Sequence, residues 1–320
     1  MKNCINLYNA MVYLEEFGFP SFQFENDYLA TAFDFDHNQF LGSYRTDYYM
    51  GMVYPFNVLG EAELIQVGFK PITIFYGSNG AGKSTAINVI AEKLGVTRTT
   101  PYNSSSWMHR YVSACSCKLN SEWETRMDRI TNVLTSDDVF NTMLDARKNC
   151  EMQQLKSQAL RKEFFGVKYG KTPKRSINLE TREGIEELRE LNATKKKTTN
   201  RFLTDTLGKI NRGYSNGENG LMYLTEKLQE GGLYLLDEPE NSLSAEYQAN
   251  LAKLVQYSSE RCNAQFIIAT HSPFLLSSPN ALIIDLDSSP AVHADWWQLE
   301  NMKLYYNLFK SYRTEFEQEE

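Results

Sequence analysis

The sequence predicts an α/β fold with a mostly parallel sheet, on three observations. Short, strongly apolar runs alternate with stretches of helical spacing, the pattern of a sheet covered by helices. A glycine-rich loop, GSNGAGKST (Gly77 to Thr85), stands between one such run and a helical stretch. Two more apolar runs, in LYLLDEPE (Leu233 to Glu240) and IIATHSP (Ile267 to Pro273), end in polar residues. Polar groups that share the carboxyl ends of parallel strands collect at one edge of the sheet, where ligands bind.

Taken in order, residues from about 1 to 70 are rich in Phe and Tyr and broken by Gly, Pro, Asn and Asp. That predicts a β-rich part, a few strands and turns after a first helix. Pro71 to Tyr76 reads as a short buried strand ending at Gly77. Ser84 to Leu94 carries apolar residues at helical spacing (Ile87, Ile90, Ala91, Leu94) and stops at Gly95, a common helix terminator. From about 100 to 212 the chain turns polar, charged and helix-favouring, which predicts an inserted helical lobe. The core that carries the glycine-rich loop is then expected over 1–99 and 213–320, the whole forming a single domain. After Gly220 come a helix (Leu221 to Leu228), a strand (Leu233 to Leu236), a helix (Ala245 to Ser258), a strand (Gln265 to Ala269) and an apolar run (Ala281 to Leu286). Trp296, Trp297, Leu299, Leu304, Tyr305 and Leu308 predict a C-terminal helix, either packed on the core or docking a partner.

Composition excludes several classes. No apolar run approaches the roughly 20 residues needed to span a bilayer, and Glu15 and Glu16 spoil the N-terminus as a secretory signal. Five scattered cysteines suit free thiols in a cytoplasmic chain. A formal net charge of -7 gives no global drive toward nucleic acid. The Lys195-Lys196-Lys197 run and the Lys168 to Arg175 cluster read first as solvated faces, so direct DNA binding stays open.

The loop Gly77-Ser78-Asn79-Gly80-Ala81-Gly82-Lys83-Ser84 satisfies G-x-x-x-x-G-K-S between a strand and a helix. Its glycines let backbone N–H groups wrap a phosphate chain at a helix N-terminus. Lys83 would place a point charge on the β and γ phosphates, Ser84 would offer a hydroxyl to Mg²⁺, and Thr85 would add a phosphate contact. Asp237 and Glu238 leave the strand at Leu233 to Leu236 together: one carboxylate holds the metal, the other orients or deprotonates the attacking water. His271, ending the next strand, is placed to hydrogen-bond a γ-phosphate and that water.

The order GSNGAGKST, YSNGE (Tyr214 to Glu218), LYLLDEPENSLS, ATHSPFLL resembles the ATP-binding-cassette (ABC) ATPases. It looks most like their soluble branch of RecF-type and structural-maintenance-of-chromosomes proteins, among the small bacterial "AAA family ATPase" proteins. The resemblance implies an ABC-type P-loop fold that binds ATP and Mg²⁺ and hydrolyses ATP. It makes Gly77 to Thr85 the Walker A loop, Asp237 the Walker B metal ligand, Glu238 the catalytic base and His271 the switch histidine. Ser215, Asn216, Gly217 and Glu218 become the signature that meets ATP held by a second copy. Asn241 to Ser244 become the D-loop crossing that interface. The implied assembly is a homodimer closing head-to-tail on ATP. The implied work is DNA repair or maintenance, or phage defence; the alternatives are an interaction module organising an effector protein, or a transporter energy subunit.

Transporters usually carry Leu-Ser-Gly-Gly-Gln at the signature; here Ser215 and Gly217 are kept, Asn216 tolerates left-handed geometry, and Glu218 points to the soluble branch. The segment between Lys83 and Ser215 is too short for the long coiled coil of chromosome-organising relatives. No glutamine between Leu94 and Asn132 stands out as a Q-loop residue. Tyr54 lies upstream at a distance suited to stacking on adenine.

Overall fold

A computed structural model of the chain describes residues 11–32, 53–60, 62–96, 98, 100–121, 123, 131–169, 216–241 and 243–317. Two compact units emerge: Met1–Phe140 with Asn216–Glu320, and Asn141–Ser215.

The first unit is built on two sheets. The smaller is antiparallel, in the order β2-β1-β4, with β1 at Leu14–Gly18, β2 at Gln66–Gly68 and β4 at Ser116–Leu119. Helix α1 (Phe22–Ala32) follows β1, so among the described residues the β-rich part opens on a strand and not on a helix. The larger sheet has the order β5-β6-β7-β3-β8-β9. Here β3 is Ile72–Tyr76, β5 Thr131–Thr135, β6 Leu233–Asp237, β7 Gln265–Ala269, β8 Leu282–Asp285 and β9 Val292–His293. Its first five strands are parallel, and β9 closes the edge antiparallel. The mostly parallel α/β architecture read from the sequence is therefore present.

Both faces of the large sheet are covered, and its central strands read as unbroken apolar runs for that reason: every residue of β3 and β7 is buried. Helix α2 (Lys83–Lys93) buries Ala86, Ile87, Val89, Ile90 and Ala91, and α6, the Ala245–Arg261 helix, buries Leu251 and Val255. Gln265, wholly buried, joins the two sheets. Its Oε1 accepts from the N–H groups of Tyr13 (2.7 Å) and Leu14 (2.8 Å), and its Nε2 donates to Leu14 O at 2.9 Å. A buried amide satisfied this fully fixes register where an apolar side chain could not.

Polar, helix-favouring composition points to a helical lobe over 100–212; residues 100–140 belong instead to the first unit. Helix α3 (Met108–Ala114), β4 and β5 all lie there. β5 is the polar string Thr-Asn-Val-Leu-Thr, and only its pairing with β6, Thr131 beside Leu233 through Thr135 beside Asp237, makes it a strand. It ends in a capping box. The Thr135 N–H and hydroxyl both donate to Asp138 Oδ2 at 2.9 Å, and Asp138 N–H returns to Thr135 Oγ1 at 3.2 Å. The cap starts α4 (Ser136–Tyr169), which carries the chain into the second unit. The Lys195 run and the Lys168–Arg175 cluster lie outside the residues whose side chains are described.

At the other end of the chain, Leu299 and Met302 anchor α7, which spans Glu300–Ser311. Beyond that turn Leu304, Tyr305, Leu308 and Phe309 are exposed, so the helix is fastened only at its start.

Candidate functional site

The strand ends of the large sheet align. Cα partners run from Thr135 to Asp237 to Ala269 to Phe75 to Ile284. The polar residues after each therefore surface along one row, and the Gly77–Thr85 loop crosses that row between β3 and α2.

The loop's shape depends on glycine at two points. Gly80 has φ +92 and Gly82 φ +96, a region where a side chain is strained. At Gly82 a Cβ would also come within 2.8 Å of Leu59 Cδ2. Gly82 caps α2, leaving the first helical N–H groups facing the loop. Nearby, Glu25, buried in the core, accepts from Asn57 N–H and from Tyr111 Oη (3.1 Å). Burial pushes its pKa up to about 7.

Lys83 lies almost wholly inside, its Nζ donating to Gly77 O (2.9 Å) and Ser78 O (3.1 Å) and sitting 3.8 Å from Glu238 Oε1. Burial lowers its pKa, an effect that Glu238 and Asp237 oppose. Ser84 Oγ donates to Asp237 Oδ1 at 2.8 Å. Burial raises the Asp237 pKa to about 6 against the lowering influence of Ser84, Arg98 and Lys83. The hydroxyl and the carboxylate are hard oxygen donors side by side. They fit Mg²⁺, which takes one or two protein oxygens and completes its shell with phosphate and water. Among the described residues no group of three or more His, Cys, Asp or Glu could hold a metal ion.

Glu238 follows with φ +47, a left-handed conformation costing about 1–2 kcal/mol in a non-glycine residue. Its N–H donates to Ala269 O at 2.9 Å, and that bond locks the turn to β7. One carboxylate oxygen, Oε2, accepts from Asn241 Nδ2 at 2.7 Å. The other, Oε1, lies 3.7 Å from His271 Nε2. Burial, and then Lys83, lower the His271 pKa, so the imidazole is neutral near neutral pH. Its Nε2 is buried without a hydrogen-bond partner.

Thus Lys83, Ser84, Asp237, Glu238 and His271 come together, while Gly77 to Gly82 form the loop beside them and Thr85 is buried in the first turn of α2. Ser215 lies outside the described residues. Asn216, Gly217 and Glu218 open helix α5 (Asn216–Lys227). Near that helix start Gly220 is packed so closely that a Cβ would stand 2.8 Å from Val139 Cγ1 and 3.1 Å from Leu243 Cδ2. Tyr54 is not a platform for adenine: it is 8% exposed, and its hydroxyl accepts from Asn88 Nδ2 at 3.3 Å.

Three further residues, Asp287, Arg98 and Glu240, stand at the site without a motif that marks them. Asp287 Oδ1 accepts from both Ser78 N–H and Ser78 Oγ at 2.7 Å; its place just past β8, on the shared edge, was the available signal. Arg98 donates to Asn88 Oδ1, lies 4.2 Å over the Tyr102 ring and is felt at Asp237; no local pattern marks it. Glu240 stands inside the LYLLDEPE string, 5% exposed, but its partners lie thirty residues on.

A family model described as "ABC transporter" matches residues 65–241. A second, described as "AAA domain, putative AbiEii toxin, Type IV TA system", matches residues 221–277. No curated protein matches the sequence. Among solved structures, "An inward-facing conformation of a putative metal-chelate type ABC transporter" is 14% identical, with 74% of this chain and 78% of that one covered at a TM-score of 0.35. The Smc head domain of Pyrococcus furiosus, with an extended coiled coil and the C-terminal domain of ScpA, is 14% identical over 76% of this chain and 94% of that one, at a TM-score of 0.34. A dimeric ATP-binding cassette in a post-hydrolysis state with ADP and Pi is 13% identical over 72% of this chain and 90% of that one, at 0.31. Among the described residues no helix is long and apolar enough to cross a membrane.

Proposed function

The chain belongs to the ABC transporter family of ATP-binding cassettes, and we propose that it binds ATP with Mg²⁺ and hydrolyses it as a head-to-tail homodimer. The observation that carries this reading is the convergence of Lys83, Ser84, Asp237, Glu238 and His271 on adjacent strand ends. The Gly77–Thr85 loop and the N-terminus of α2 hold the phosphate chain through backbone N–H groups. Lys83 places its charge on the β and γ phosphates. Ser84 and Asp237 would hold Mg²⁺, which would screen the phosphate charge. Glu238 accepts a proton from water as the water oxygen bonds to the γ-phosphorus and the bond to the ADP oxygen breaks. His271, neutral, offers Nε2 to the γ-phosphate or to that water. The partner copy completes the site through Ser215, Asn216, Gly217 and Glu218, and Asn241 to Ser244 line the contact.

The process served is DNA repair or maintenance, or phage defence. Supporting it are the Ser-Asn-Gly-Glu signature, unlike that of transporters, and the match of residues 221–277 to an AAA domain of a toxin–antitoxin type. A second reading, in which ATP binding organises an effector protein, shares this site and differs in where the energy goes.

Ser215→Arg separates the dimer from the pocket. The variant is expected to bind ATP as wild type does, because the residue acts only on the partner's nucleotide. Turnover should fall by about a hundredfold or more, and ATP should no longer drive dimer formation on size exclusion. Normal hydrolysis by Ser215→Arg would mean that each copy works alone. In the same assay, stimulation of wild type by double-stranded DNA ends would favour the DNA reading, and indifference to them the effector reading.

A further inference from the structure

Glu240 is a carboxylate that the hydrolytic scheme leaves without a task, yet it is 5% exposed and three residues past Asp237. Its Oε1 accepts from three donors in the turn after β7: Thr270 Oγ1, His271 N–H at 2.8 Å and Ser272 N–H at 3.2 Å. Those contacts belong to a closed circuit. Ser272 Oγ donates to Gln248 Oε1 at 2.9 Å, Gln248 Nε2 donates to Leu243 O at 3.0 Å, and Leu243 N–H donates to Glu240 O at 2.8 Å. The ring thus runs from the end of β6, through the turn carrying His271 and α6, and back to the loop after Glu240.

We propose that Glu240 is a positioning residue, which with Gln248 fixes His271 against Glu238 and ties it to the 241–244 loop. The inference rests on the reading of Glu238 and His271 as hydrolytic residues. Its physical basis is cost. A buried carboxylate is expensive unless its lone pairs are used, and here the second oxygen, Oε2, is buried with no partner. Three donors on one oxygen, two of them consecutive backbone N–H groups, hold the peptide at His271 in one orientation. The imidazole then stands 3.7 Å from Glu238 Oε1. A small rotation of that peptide would swing Nε2 away from the reacting phosphate, and misplacement by about 1 Å is enough to cost about a hundredfold in rate. The ring also passes through Leu243, inside the stretch assigned to the partner contact. Closure of the dimer on that loop would therefore reset His271 in the same motion.

The test uses the full chain and three substitutions. Gln248→Leu opens the ring and leaves the buried carboxylate with its three donors. Glu240→Ala removes the clamp, and Glu240→Gln keeps an acceptor at Oε1. Expected kcat losses are about tenfold for Gln248→Leu and about thirty- to a hundredfold for Glu240→Ala, with most activity recovered in Glu240→Gln. The Kd for ATP, measured in EDTA with a fluorescent analogue, should stay within about twofold, because neither residue touches the phosphate loop. In a His271→Ala background both losses should vanish, since residues acting through one group are not additive. Losses that multiply with His271→Ala would overturn the proposal, as would a Gln248→Leu variant with wild-type kcat. Should Glu240→Ala fail to fold, Gln248→Leu decides alone. A wild type without ATPase activity would instead overturn the hydrolytic reading, and this inference with it; wild-type turnover with multiplying losses overturns the positioning role only.

Discussion

Glu238→Gln is expected to lower kcat by about a hundred- to a thousandfold, leave ATP binding intact and yield a dimer that persists for as long as ATP is present. The amide cannot take a proton from water, but it has the same shape. It keeps an oxygen for Asn241 Nδ2, now at 2.7 Å from the carboxylate, and the left-handed turn at φ +47 is a backbone property that it inherits. In the proposed scheme the ground-state hold on phosphate falls to Lys83 and the loop N–H groups, and the hold on Mg²⁺ to Ser84 and Asp237; the substitution removes none of them. The losses should therefore fall on kcat and not on KM, the mark of a group used only in the transition state. The charge change does not oppose binding: Glu238 Oε1 lies 3.8 Å from Lys83 Nζ, and the neutral amide leaves that ammonium its charge for an anion. Size exclusion with and without ATP, alongside single-turnover hydrolysis, checks both halves. A variant that hydrolyses ATP within about threefold of wild type would remove Glu238 as the base. A variant that is inactive but monomeric with ATP would keep the base and remove the ATP-held dimer.

The parts of this site that were legible in the sequence are those whose geometry is local. Gly77 to Ser84 is one loop between one strand and one helix, so spacing alone prescribes its form. Asp237, Glu238 and His271 each follow an unbroken apolar run, and the topology of parallel sheets puts such ends on one edge. What escaped depends on partners far along the chain. β5 is a strand because β6 lies beside it, and its threonines and asparagine carry no apolar alternation of their own. The capping box from Thr135 to Asp138 was a readable signal that a helix begins there, and it marks where the first unit ends more closely than the change in composition does. Tyr54 stands in a region full of aromatics with no local mark of its direction, and its burial and its Asn88 contact show it turned inward. Glu240 is legible as a residue and illegible as a clamp, because the three donors it gathers belong to residues 270–272.

Asp237→Asn is expected to make the nucleotide-free protein more stable at pH 8 while abolishing Mg²⁺-dependent hydrolysis. The reason is burial, which makes the charge on this carboxylate costly when no cation stands beside it. Burial pushes the Asp237 pKa up to about 6 in the folded chain, against its ordinary value of 3.8. The folded state therefore holds the proton more tightly than the unfolded state does. The sign follows from linkage: stability from this group is complete below about pH 4, declines as the pH rises toward 6, and is lost above it. The difference, about two pKa units, amounts to at most about 3 kcal/mol. Asparagine keeps an oxygen for Ser84 Oγ and carries no charge to bury, so it escapes the penalty. The variant's advantage in thermal unfolding should be several degrees at pH 8 and should close as the pH approaches 4. Addition of Mg²⁺ and ATP should reverse the ranking, because ligand that binds only the folded state stabilises wild type by mass action, and the variant has lost half of the Ser84–Asp237 donor pair. An advantage that is equally large at pH 4.5 and pH 8 would mean that Asn improves packing and that the buried charge at Asp237 is not the cost. Equal stabilisation of both proteins by Mg²⁺ and ATP would place the metal elsewhere.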